Sequence, residues 1–189
     1  MEIIKSGHAD VQEILHILSE SKGENLSSEQ RANEGFTQGN MDESLLKTFQ
    51  DGVGVFVCKE QVDGQPVIAG VAMTSLGKLA KHGVAQATYN AVVSNGKVPA
   101  DQIFLYGPVS VRRDFRGKGL LTQLLVHICE NLQNRFALGV AFVDKENQKS
   151  LAIHRHYPMT EFDTISMNRR EYVIFTFEPR RVLSFYKNR

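Results

Sequence analysis

Between Val109 and Leu125 the chain reads VSVRRDFRGKGLLTQLL. A β-branched lead-in meets the turn Arg116-Gly117-Lys118-Gly119, and the next segment carries Leu at 120, 121, 124 and 125. Strand, glycine turn and helix start, in that order, build a site for a pyrophosphate. The glycines let backbone N–H groups approach phosphate oxygens with no Cβ in the way. The new helix aims its orphan N–H groups and the positive end of its dipole at the same anion. Arg116 and Lys118 add positive charge. The spacing is not that of a P-loop, since no Gly-Lys-Ser/Thr occurs where that motif needs it. It is not a dinucleotide fingerprint, because Thr122 stands where that fingerprint needs glycine. Two other readings compete: a tight turn with incidental charges, and a nucleotide-binding loop for a different pyrophosphate.

A second segment narrows the choice. The strand-like run Leu138–Val143 is followed by Asn147-Gln-Lys-Ser150-Leu-Ala-Ile-His154-Arg-His-Tyr157. Ser150 and His154 are four apart, so a helix puts both on one face. Together the two segments resemble the two acyl-CoA-contacting blocks of the GNAT superfamily of N-acetyltransferases. The first block is Arg/Gln-x-x-Gly-x-Gly/Ala after a strand, and Arg116, Gly119 and Leu121 occupy its fixed positions. Leu121 departs from the usual Gly or Ala. In the second block a Tyr, sometimes a His, lies seven positions after an Asn; here these are His154 and Asn147. Pro158-Met159 replaces the Gly-Phe that usually closes it. The resemblance is specific over about residues 100–160.

The resemblance implies a mixed α/β sheet with helices on both faces, in which the strands ending near Val111 and Val143 splay apart and acetyl-CoA enters between them as co-substrate. It implies direct transfer of the acetyl group to a primary amine in a ternary complex. The pyrophosphate falls to the backbone of Arg116, Gly117, Lys118, Gly119, Leu120 and Leu121. The pantetheine arm falls to Val109, Ser110 and Val111 on one strand and to Asn147 and Ser150 on the other side. His154 stands where the family's proton donor to the leaving thiolate stands, with Tyr157 as runner-up. The proton acceptor is less legible, since Ile103–Ser110 carries no carboxylate. Tyr106 and Ser110 are the polar side chains there; Glu161 and Asp163, on an expected loop, and Glu34 are further options. Phe36, Tyr89 and Tyr106 could line an acceptor pocket. A GNAT-like module that binds acyl-CoA as a sensor, without turnover, is the second reading.

The resemblance leaves the acceptor open between a small-molecule and a peptide amine. At 189 residues, 42% hydrophobic and 23% charged, the chain is expected to be one domain, 1–189, with an insertion at about 76–100. A formal net charge of +1 offers no broad footprint for nucleic acid. No apolar run reaches the length of a membrane span, and the N-terminus has no apolar leader. Cys58 and Cys129 form no C-x-x-C pair and read as buried thiols in a reducing, cytoplasmic setting. No metal is expected. A second copy of the chain is compatible as a partner.

The elements that must position these residues follow from periodicity. Glu2–Lys5 reads as a strand. Asp10 precedes a helix with apolar residues at 11, 14, 15 and 18. Further helices are expected within Ser27–Phe36 and Asp42–Phe49. Val53–Cys58 and Val67–Thr74 pair around Asp63-Gly64. Helices near Lys78–Lys81 and Ala85–Ser94 fill the insertion. Ile103–Val111 is a strand interrupted by Gly107-Pro108, which either marks a bulge or delays the strand to Val109. A helix from Gly119 to about Asn134, a strand over Ala137–Val143, a helix over Ser150–Tyr157 and a strand over Tyr172–Phe177 follow. Val182–Tyr186 is expected as a short strand or arm.

Overall fold

The computed structural model of the chain describes residues 1–37 and 39–188. Through it runs one mixed sheet: β1 (Glu2–Lys5), β2 (Gly54–Val62), β3 (Gln65–Leu76), β4 (Ile103–Val111), β5 (Leu138–Asp144), β6 (Thr160–Met167) and β7 (Arg170–Phe177), in the order β1-β2-β3-β4-β5-β7-β6. All neighbours are antiparallel except the central pair, β4 and β5. These two meet only where Ile103–Leu105 face Leu138–Val140. Beyond Leu105 they part.

The cause of the parting lies in β4. Ala72 of β3 faces Val109, whereas Thr74 faces Tyr106, so β4 spends one residue more than its partner across Gly107-Pro108. That is a β-bulge, which bends a strand and increases its twist. Of the two readings of Ile103–Val111, the continuous strand with a bulge is the one found. Past Val140, β5 keeps its ladder to β7, from Ala141 opposite Phe175 to Asp144 opposite Tyr172. Two strand edges therefore face each other without joining.

Apolar alternation on the strands builds two faces. Val55, Val57, Val71 and Met73 pack under α1 (Val11–Glu20) and α3 (Glu43–Asp51). Ile103, Leu105 and Val140 pack under α4 (Gly83–Ser94), the helix of the expected insertion. On the opposite face Phe56, Phe104, Phe175 and Phe177 pack against α5 (Leu120–Leu132) and α7 (Pro179–Lys187). Between α1 and α3 lies α2 (Ser28–Glu34), opened by a capping box in which Ser27 and Gln30 satisfy each other's backbone N–H. After β5 comes α6 (Gln148–His156).

Three expectations need correction. Lys78–Lys81 holds no α-helix; a short 3₁₀ turn, Gly77–Leu79, lies there. The loop expected to carry Glu161 and Asp163 is β6, an edge strand with a mostly exposed, polar sequence that hid its alternation. Val182–Tyr186 is neither strand nor arm but part of α7. Pro179 starts that helix, where its missing N–H costs nothing, and Val182 and Leu183 are buried.

Gly139 is the middle residue of the short β4–β5 ladder, paired to Phe104 on one side and Phe177 on the other. A Cβ there would lie 2.3 Å from the Phe177 ring, which itself packs edge-on against Phe104 and Tyr106. Gly139→Val is expected to cost about 1–3 kcal/mol through overpacking, read as a lower urea midpoint. An unchanged midpoint would show that Phe177 can move aside freely.

Candidate active site between the splayed strands

The loop from Arg112 to Gly119 joins β4 to α5. A 3₁₀ turn, Arg113–Phe115, opens it, and Gly117 (φ 74°) and Gly119 (φ 71°) close it in the left-handed region that favours glycine. A Cβ on Gly117 would meet nothing within 4 Å, and one on Gly119 would touch only the Gln123 side chain, at 4.0 Å. Both glycines border open space, not packed protein. Among the described residues, the backbone N–H groups of 117–122 have no protein acceptor. Six free donors therefore stand in a row at this helix start, where the helix dipole is positive. The departure at Leu121 has a local reason: its side chain turns to the cluster of Cys58, Ala69, Val111 and Leu120 and leaves the loop clear.

Arg116 is used differently from the expectation. Its Nε donates to the Val111 carbonyl at 3.0 Å, and its Nη1 to Glu34 at 2.7 Å. Arg113 Nη2 donates to both Glu34 oxygens, at 2.9 and 3.1 Å. The hydrogen bonds from Arg116 and Arg113 hold the Glu34 carboxyl below the usual carboxylate range. Glu34 is thereby a poor proton acceptor. It ties α2 to the phosphate loop instead. Lys118 places its ammonium over the Phe115 ring, 5.0 Å away.

From the loop, the free edge of β4 leads inward to a cavity of about 570 Å³. Leu105–Val109 form one wall and Ala141–Asp144 the other, with Asn147, Ser150 and His154 at one end and residues of α1 and α3 above. Asn147 caps α6, accepting from Ser150 N–H at 3.1 Å, and donates at 2.7 Å to the Phe36 carbonyl. Its carboxamide thus joins the second block to the segment after α2. Asp144, which sequence reasoning missed, turns the chain from β5 toward α6: it accepts from Glu146 N–H at 2.8 Å and from Arg170 at 2.6 Å. An Asp three residues before a capping Asn was the available signal.

His154 is buried, between Phe175 and Tyr157. Its Nδ1 lies 2.8 Å from the Ser150 carbonyl, and a carbonyl only accepts, so Nδ1 carries the proton and Nε2 a lone pair. Burial pulls the imidazole below its usual pKa, against a smaller opposite effect of that hydrogen bond. The neutral ring can accept a proton at Nε2, and it can give one there once it has taken one.

Of the other candidates, Tyr106 borders the cavity, but its ring packs edge-on against Phe177 at 5.6 Å. Burial raises its phenol well above the usual value, so Tyr106 keeps its proton and does not serve as a base at neutral pH. Burial likewise pushes Tyr157 up to about 12. Ser110 is buried opposite Val71 and does not line the cavity. Glu161 and Asp163 stand on β6 away from the cavity; Glu161 binds Arg155 at 2.8 Å. Phe36 lines the cavity, whereas Tyr89 does not and donates to the Ala100 carbonyl. Cys58 and Cys129 are buried thiols, and no described helix is long and apolar enough to cross a membrane.

No family model matches the chain, and no curated protein is similar to it in sequence. Solved structures are. An N-acetyltransferase from Staphylococcus aureus superposes with a TM-score of 0.62 at 16% identity, over 94% of this chain and 98% of its own. A candidate acetyltransferase from Salmonella typhimurium, holding its cofactor acetyl-CoA, gives 0.61 at 15%, over 95% and 94%. An acetyltransferase of the GNAT family from Streptococcus pneumoniae gives 0.60 at 11%, over 94% and 98%. The fold defined by the splayed central pair is that of the GNAT acetyltransferases.

The state of His154 has a consequence for stability. Its folded pKa is lowered below 6.5, so between the two values the unfolded chain binds more protons. The stability this group allows is complete above about pH 6.5 and is lost as pH falls toward the folded pKa. His154→Phe is expected to lose less of its urea midpoint than the parent between about pH 7.5 and 5.5. Parallel losses in the two proteins would mean that the ring titrates as if exposed.

Proposed function

We propose that this chain is an N-acetyltransferase that passes the acetyl group of acetyl-CoA to a primary amine by direct attack, with both substrates bound. The observation that carries the reading is the run of six free backbone N–H groups at 117–122, placed where an unpaired strand edge leads into the cavity beside His154. Residues of that loop suit a pyrophosphate. The free edges of Val109–Val111 and Ala141–Val143 suit the amides of a pantetheine arm, with the Ser150 hydroxyl beside them. A backbone N–H near Val109 suits the thioester oxygen, where negative charge grows during attack.

In the transfer a C–N bond forms and the C–S bond breaks; nitrogen gives up one proton and sulfur takes one. Nε2 of His154 suits both halves of that exchange, taking the proton from nitrogen and returning it to the thiolate. A relay of this kind removes the need for the missing strand carboxylate, and with it the main support for a sensor without turnover. The buried thiols Cys58 and Cys129 suit a reducing cytoplasm.

Thermal shift with acetyl-CoA, ATP and NAD is the first test, since a ligand that binds only the folded chain raises its melting temperature. Acetyl-CoA alone should do so. Gly119→Val should abolish that shift in a folded protein, because a branched side chain at φ 71° is strained and projects into the anion site. Unchanged affinity by calorimetry would remove the loop from the site.

His154→Phe should leave acetyl-CoA binding near normal and lower turnover by about 10²–10⁴-fold. The parent's rate should rise with pH through an apparent pKa below 6.5, following the neutral ring, and the variant should lack that limb. Turnover like the parent's would end the relay.

A further inference from the structure

The outer half of the cavity is built for a particular kind of amine. Its wall is apolar: Leu15 from α1, Met41, Leu45 and Phe49 from and beside α3, and Leu79 from the 3₁₀ turn before α4. Leu45 is one of only three large apolar side chains exposed among the described residues, and it is exposed into this cavity. An apolar wall open to a cleft gains most when an apolar group covers it.

Charge on the rim is one-sided. Lys81 and His82 line the cavity, are exposed, and make no ion pair among the described residues. The two carboxylates that line it are already engaged: Glu24 by Lys22 at 2.6 Å and Asp144 by Arg170 at 2.6 Å. An acceptor with a second ammonium group finds no free anion here and meets the Lys81 ammonium. At the foot of the cavity, opposite Leu105 on the neighbouring strand, Ser75 is buried at 5% exposure. No described residue hydrogen-bonds its hydroxyl. That hydroxyl opens onto the cavity, where a ligand can bond it.

We propose that the acceptor is a primary amine bearing both a bulky apolar side chain and a carboxylate, as an apolar α-amino acid does. Lys81 and His82 hold the carboxylate, the wall from Leu15 to Leu79 holds the side chain, and the Ser75 hydroxyl accepts a hydrogen bond from the amine. The assignment rests on the acetyltransferase reading and names its second substrate.

The test is CoA release at saturating acetyl-CoA with leucine, methionine and phenylalanine, their amides, a peptide beginning with each, and spermidine. The free amino acids should exceed their amides in kcat/KM by about tenfold or more, the scale of a hydrogen bond between charged groups. Lys81→Ala should erase most of that preference through KM for the acids and leave the amides unchanged. Lys81 is exposed, so the variant is expected to fold, and the unchanged amide rate verifies it. Equal rates for acid and amide, or a Lys81→Ala loss shared by both, would overturn the assignment. CoA release with only spermidine or only the peptides would overturn it too, with the transferase reading intact. Acetyl-CoA binding without release to any amine would defeat both.

Discussion

Everything in this molecule hangs on a ladder that stops early. β4 and β5 share three residue pairs and no more. Had the ladder continued, the backbone groups of Val109–Val111 and Ala141–Val143 would have satisfied one another and the cavity would be closed sheet. The extra residue at Gly107-Pro108 ends the pairing, and the proline removes one donor from the edge it frees. The interior can accept this gap because the strands stay anchored on their outer sides, β4 to β3 and β5 to β7. Phe104, Phe136 and Phe177 pack against one another at the closed end.

α2 is held beside the wedge by polar contacts and little apolar packing. Asn147 reaches the Phe36 carbonyl, Glu34 grips Arg113 and Arg116, and Arg31 lies over the Phe36 ring while facing Glu146 at 3.7 Å. All but the Arg31–Phe36 contact link the segment around α2 to the loop after β4 or to the start of α6. None of the residues of α2 is buried, so these links, more than hydrophobic burial, hold that helix in place.

The phosphate loop and α6 were legible in the sequence because they are local. Glycines, a helix start and an Asn seven residues before a His are fixed by chain geometry over short spans, and they landed where their spacing put them. What escaped was long-range. Nothing near Glu34 announces that Arg113 and Arg116, about eighty positions on, will take it from solution. Ser75 looked like any strand residue, because the cavity it lines is assembled from distant segments. β6 was missed since an edge strand shows water one face and tolerates polar residues there. The end of the chain was misjudged for another reason: Val182, Leu183 and Tyr186 suit a helix face and a short strand about equally until Pro179 is read as a helix start. The proton chemistry of His154 also lay beyond sequence, being set by the Ser150 carbonyl and the surrounding rings.

The grip of Glu34 on the two arginines changes how the loop meets an anion. With one carboxylate set against two guanidiniums, much of the formal charge there is already spent inside the protein. Beside the net charge of that trio and the Lys118 ammonium, fixed backbone dipoles at the start of α5 act over a few ångströms and carry no counterion cloud to be displaced. Added salt screens bare charges over about 10 Å at 0.1 M but reaches contact dipoles far less. An anion held on this loop should therefore be less sensitive to ionic strength than one held by two free arginines.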